Sequence, residues 1–309
     1  MARKPKHQSG LLANTFDRVA AASRAGAGSL PMIATVASIG IGAIALAIGV
    51  PRLRSYIGER SFVEAGSIRL AFLNPPPWLD TERTATLRTI VANAVGVGSV
   101  LDPARLATAQ DALAQSGWFR EIRQVRLSPD GGFVIDAVFR QPVATVLYGS
   151  REYMIDDEGC RVPLDWELGE RPSAPHWIAL HHAASPPPGA PGAHWSGADI
   201  DAGLALLEML RGRRWEQQVA AIDLAEFAGA GLVVRTVNNG LVLWGYPPGV
   251  TTTAEPPTEA KLRNLDHLFA STGYIDNGSG RLIDLRTDVP SIRPISETAQ
   301  ADASRDIVR

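Results

Sequence analysis

The stretch DPARLATAQDALAQSGWFREIRQVRLSPDGGFVIDAVF, residues 102–139, changes its hydrophobic period partway along. Asp102-Pro103 reads as an N-cap followed by proline at the first helical position, where a missing backbone donor costs nothing. Leu106, Ala109 and Leu113 then recur at helical spacing, and Gly117 closes the helix. From Ile122 to Leu127 and from Phe133 to Phe139 the spacing becomes that of strands, with Phe133, Ile135, Ala137 and Phe139 on one face. Pro129-Asp130-Gly131-Gly132 between them is a turn sequence whose residues tolerate positive φ. One helix followed by a hairpin is thus written into fewer than forty residues.

Toward the N-terminus, Asp80 or Thr81 caps a further helix with Leu87, Ile90, Val91, Ala94 and Val95 on its apolar face, stopped by Gly96 and Gly98. Ile68, Leu70 and Phe72 alternate with Ser67, Arg69 and Ala71 as a strand, ended by Asn74-Pro75-Pro76-Pro77. Residues 66–142 therefore have the order β-α-α-β-β, with Leu87, Ile90, Leu106, Leu113, Ile135 and Phe139 as the expected core. Earlier still, residues 25–51 carry no charged side chain, and about 20 apolar residues match a bilayer core of roughly 30 Å. That pattern predicts a transmembrane helix over residues 30–51. Arg3, Lys4, Lys6, Arg18 and Arg24 precede it against Asp17 alone, so residues 1–29 are expected as a basic cytoplasmic tail and the rest of the chain as periplasmic. A cleaved signal processed at Ala45-Leu46-Ala47 is the rival reading, with an unusually long region before its apolar core.

Toward the C-terminus the pattern is strand-rich. Tyr153-Met154-Ile155 leads into a turn at Asp156-Asp157-Glu158-Gly159, and Trp177 to Leu180 is a short strand. Ser185 to Gly192 is a proline- and glycine-rich surface loop, and Ile200 to Leu210 a helix with Leu204, Leu207 and Leu210. Val219 to Leu224 is a strand, and Leu232–Val237 with Leu241–Tyr246 is a hairpin around Asn238-Asn239-Gly240. Pro256-Pro257 opens a helix with Leu262, Leu265, Leu268 and Phe269, and Leu282 to Arg286 is a last strand. Residues 143–293 form a mixed, β-rich second domain with two or so helices. Residues 294–309 are polar and expected to be disordered. The class is α+β.

Several of these segments resemble the FtsQ/DivIB family of bacterial cell-division proteins, and the first module resembles a POTRA domain. Ser116-Gly117-Trp118-Phe119-Arg120-Glu121-Ile122 runs a helix end straight into a strand. Arg140-Gln141-Pro142-Val143-Ala144 and Tyr153-Met154-Ile155-Asp156-Asp157-Glu158-Gly159 are similar to the family's R-x-P-x-A and Y-L-V-D-x-x-G signatures. Asn239-Gly240-Leu241, Lys261-Leu262-Arg263-Asn264-Leu265 and Leu282-Ile283-Asp284-Leu285-Arg286 follow its D-N-G, K-x-x-x-L and V-D-L-R pattern in order. The Asn74–Pro77 run and the Ser185–Gly192 loop stand outside that pattern, as do Pro290 and Pro294 where the family continues a final strand.

The resemblance implies a non-enzymatic, membrane-anchored scaffold of the division machinery in the inner membrane, which recruits FtsB- and FtsL-like bitopic proteins by strand addition. Carried over by position, Leu282, Ile283, Asp284, Leu285, Arg286 and Thr287 form or adjoin the receiving edge. A POTRA-bearing chaperone for export or envelope assembly is the alternative, although it generally carries tandem modules or a β-barrel.

The residue types offer little for catalysis. A net charge of −2 and pI near 6.3 give no reason for a nucleic-acid partner. Cys160, the single cysteine, reads as a small buried apolar residue. His176, His181, His182 and His194 lack metal-ligand spacing, and His181 and His182 point to opposite faces of a strand. A membrane-anchored hydrolase would rest on these histidines alone. Asp156, Asp157 and Glu158 read as solvated turn formers. No catalytic, cofactor-binding, metal or small-molecule site is expected.

Overall fold

In the computed structural model, residues 40, 45–50, 52, 62–63, 68–96, 98–99, 103–128, 132–172, 175–250, 252–278 and 280–295 are described. The chain divides into two compact units, residues 1–62 with 99–101, and residues 63–98 with 102–309. In the first unit the expectation of a transmembrane helix over 30–51 is not met. Among the described residues no helix is long and apolar enough to cross a membrane. The described helical residues there are 40, 45–50 and 52. Residues 30–39, 41–44 and 51 of that segment and the expected tail over 1–29 lie outside the described residues.

The second unit opens with β1 (Leu70–Phe72), α1 (Thr81–Val95), α2 (Pro103–Gln115), β2 (Phe119–Leu127) and β3 (Phe133–Phe139). The Asp80 carboxylate accepts from the Arg83 N–H at 2.8 Å and so caps α1. Gly96 ends α1 at φ +62°. Arg105 on α2 is buried, and its guanidinium donates to the Gly96 carbonyl at 3.1 Å, so a charged residue covers the open end of α1. β3 is central: β1 pairs with it in parallel and β2 antiparallel. Leu87, Leu113, Ile135 and Phe139 are buried as expected from their spacing, whereas Leu106 is half-buried and Ile90 lies outside the core cluster.

Twelve further elements follow: β4 (Pro142–Tyr148), β5 (Arg151–Asp156), β6 (Arg161–Glu167), β7 (Ile178–His181), α3 (Ala198–Leu210), a 3-10 turn (Glu216–Gln218), β8 (Val219–Asp223), β9 (Leu232–Thr236), β10 (Leu241–Gly245), α4 (Thr258–Thr272), β11 (Arg281–Asp284) and β12 (Ser291–Pro294). The strands form one sheet in the order β12-β11-β10-β9-β8-β7-β4-β5-β6. Register aligns Val146, Leu180, Ile222, Val234, Val242, Ile283 and Ile292 across seven adjacent strands. The first six are buried against Ile200, Leu206 and Leu207 of α3 and Leu262 and Leu265 of α4. A Cβ on Gly203 would lie 3.1 Å from the Leu180 side chain, so the glycine lets α3 rest closely on β7. The hydrophobic row is the spine of the module; its last member, Ile292, is 42% exposed.

The boundary at 294 also moves. Pro294 belongs to β12, so ordered structure continues past the last strand expected at Leu282–Arg286. Residues 296–309 lie outside the described residues.

Candidate functional site

The final third of the sheet is held by buried polar contacts. A Cβ on Gly240 would lie 2.5 Å from the Cβ of Asp276, so only glycine lets the hairpin approach the α4–β11 connection. Asp276 accepts from the Thr236 hydroxyl at 2.5 Å and from the Gly278 N–H at 2.9 Å. Lys261, buried on α4, donates to the Trp244 carbonyl and the Glu255 carboxylate, each at 2.6 Å. Periodicity places Lys261 on a helix without saying that its ammonium is enclosed. These contacts pin α4 and β10, and β11 then aligns in parallel on β10.

β11 is flanked on both sides, so of the two arrangements expected for Leu282–Thr287 it adjoins the sheet edge rather than forming it. Leu282, Ile283 and Asp284 pair with Leu241, Val242 and Leu243 of β10, and with Arg293, Ile292 and Ser291 of β12. Ile283 and Leu285 are buried in the core, Asp284 is buried, Leu282 and Arg286 are half-buried, and Thr287 is exposed. The chain turns back after Thr287, whose hydroxyl donates to the Val289 carbonyl at 2.9 Å. Pro290 and Pro294 bracket β12 rather than abolish it, because proline is tolerated at the ends and edges of a sheet. Among the described residues the main chain with a strand on one side alone is therefore Ser291–Pro294, next to the residues carried over from the family pattern.

Beside this edge is a groove of about 350 Å³ between α4 and the β11–β12 turn, lined by Leu265, Leu268, Ile283, Leu285, Pro290 and Ile292 among others. Val289, 79% exposed, stands at the turn. On the strand itself Arg293 points a guanidinium toward Asp284 at 3.5 Å, and Arg286 donates to the same carboxylate twice from its guanidinium, at 2.9 and 2.8 Å, and once from its backbone N–H at 3.1 Å. The Arg286 bonds hold the Asp284 carboxyl below its ordinary range against the opposing effect of burial. Asn264, His267 and Ser271 complete the lining of the groove, while Asp284 and Arg293, one position along from Ile283 and Ile292, project from the opposite face of the sheet.

The other edges are differently guarded. β2 has two register shifts and carries Arg120, Glu121, Arg123 and Arg126 along its length, features that discourage pairing. β6 contains Pro163, and its first residue already exchanges hydrogen bonds with the 192–193 segment. β1 has three residues and runs into Asn74-Pro75-Pro76-Pro77.

The remaining polar clusters have local partners. Asp156, Glu158 and Cys160 bring ligand-type atoms within 4.8 Å of one another. Asp156 is buried rather than solvated, accepts from the Cys160 N–H at 2.7 Å, and pairs with Arg140 at 2.6 Å. The guanidinium thus already supplies the positive charge. Burial pushes the Cys160 thiol up, away from the thiolate needed for nucleophilic work. His182, at φ +60°, holds the Asp223 carboxylate at 2.7 Å, while His176 meets the Val219 carbonyl at 2.9 Å. Burial alone would raise Asp223; the bonds from His182, the Ala225 N–H and Arg235 outweigh it and leave the group well below its ordinary range.

No protein-family model matches the chain, and no curated protein matches its sequence.

Proposed function

We propose that this protein is a non-enzymatic scaffold of the bacterial division machinery, of the FtsQ/DivIB type, which recruits FtsB- and FtsL-like partners by strand addition. The observation that carries the reading is the aliphatic row ending in half-exposed Ile292 on an open edge. A strand added outside β12 would continue the row, place alternate side chains over the groove and take up main-chain groups that now face solvent. Because the edge is only four residues long, main-chain bonds supply part of the affinity and the groove supplies the rest. The order of motifs along the sequence supports the choice of partners.

Ile292→Asp puts a charge at the end of the row without touching the buried spine. The full-length variant should keep its circular dichroism spectrum and lose co-purification with FtsB- and FtsL-like proteins. Undiminished recovery by the folded variant would remove β12 as the docking edge.

A further inference from the structure

Only Arg140 and Gln141 connect β3 to β4, and connections of this kind ordinarily permit the joined modules to move. Here the connection is held from two directions by segments the partner-binding reading does not use. From the first module, Trp78 follows the proline run, stacks on Trp118 with ring centroids 5.6 Å apart, and donates its indole N–H to the Gln141 side chain at 3.3 Å. The Arg140 N–H donates to the Trp118 carbonyl at 2.9 Å.

From the second module, the proline- and glycine-rich loop folds down onto Gly117. A Cβ on Gly117 would stand 2.6 Å from the Pro191 carbonyl carbon and 2.8 Å from the Gly192 nitrogen, so backbone rests on backbone. Arg161 holds that loop in place, donating from its guanidinium to the Pro188 carbonyl at 2.9 Å and accepting from the Gly192 N–H at 2.6 Å. Beneath these contacts, Met154 and Val162 of the large sheet belong to the same buried cluster as Leu87, Leu113 and Ile135.

We propose that the junction at residues 140–141 is a closed hinge, latched by Trp78 from one side and residues 188–193 from the other, so that both modules behave as one rigid body. The latches fix the direction in which the first module stands relative to the β12 edge. This holds whatever the partner at that edge is, because every contact is internal to the chain.

Spin labels on Arg88→Cys of α1 and Arg263→Cys of α4, both exposed positions, in a Cys160→Ala chain report the inter-module distance directly. The parent should give a single narrow distribution. Trp78→Ala, which removes one half-buried ring, and Gly117→Val, which drives a side chain into Pro191 and Gly192, should each broaden it roughly twofold. Far-ultraviolet spectra establish that the variants are folded; if Gly117→Val is not, Trp78→Ala and the width of the parent decide. A broad parent distribution overturns the proposal, as does a folded latch variant as narrow as the parent.

Discussion

Replacing Lys261 by Met removes a cation from the junction of α4 and β10 while keeping most of the side-chain volume. The side chain is 3% exposed, and its ammonium lies 5.4 Å from the Trp244 ring centroid and serves the Trp244 carbonyl and Glu255 together. Without it Glu255 keeps one donor, the Tyr246 N–H at 3.0 Å, and the Trp244 carbonyl loses the ammonium donor. Breaking one half of a buried pair costs about 3–5 kcal/mol, most of it the uncompensated charge. With a urea slope of about 3 kcal/mol/M, the unfolding midpoint should fall by about 1–2 M. Adding Glu255→Gln removes the stranded charge but keeps an acceptor for Tyr246. The double variant should recover to within about 1–3 kcal/mol of the parent, the residue being the unsatisfied carbonyl. Equilibrium urea unfolding at pH 7 reads both numbers. A single-variant cost under about 1 kcal/mol, or a double variant no more stable than Lys261→Met, would refute the claim that this pair is desolvated and holds α4 over the groove.

Leu113→Ala, at a fully buried position of α2, should cost about 2–5 kcal/mol in the same assay, and an unchanged midpoint would mean that the helix face is assigned wrongly. Asp223 has its carboxyl lowered in the folded state, so its stabilisation is fully present above the unfolded value near 4 and is lost as pH falls below it. Asp223→Asn should therefore be less stable at pH 7 and show a flatter acid limb between about pH 4 and 2; a parallel acid limb in parent and variant would contradict the role given to His182 and Arg235.

Local chemistry was readable wherever one element decided it. Asp80 and Gly96 bound α1 as their types demand, the Asn238–Gly240 hairpin falls where expected with Asn239 at φ +60°, and Phe133–Phe139 is a strand over the expected residues. What periodicity could not supply is strand order. Leu282–Asp284 reads equally well as an edge or an inner strand, and only the return of the chain after Thr287 makes it inner. The prolines at 290 and 294 argued against a further strand, but four residues between them suffice for an edge. Buried charge was equally hidden. Lys261, Arg105 and Asp156 look solvated in sequence, because their partners are a distant carbonyl, a helix end and an arginine from another strand. An apolar run alone predicted a membrane span, and among the described residues no helix is long and apolar enough to make one.

The central claim is that partners add a strand to Ser291–Pro294. Amide hydrogen exchange on the full chain, alone and with saturating FtsB- and FtsL-like proteins, tests it at the backbone groups concerned. Within Ser291–Arg293 the amides facing away from β11 should slow by at least about tenfold on binding, while those of Leu282–Asp284, already inside the sheet, should change little. Partner binding that leaves every amide of residues 291–293 exchanging at its free rate would contradict the account.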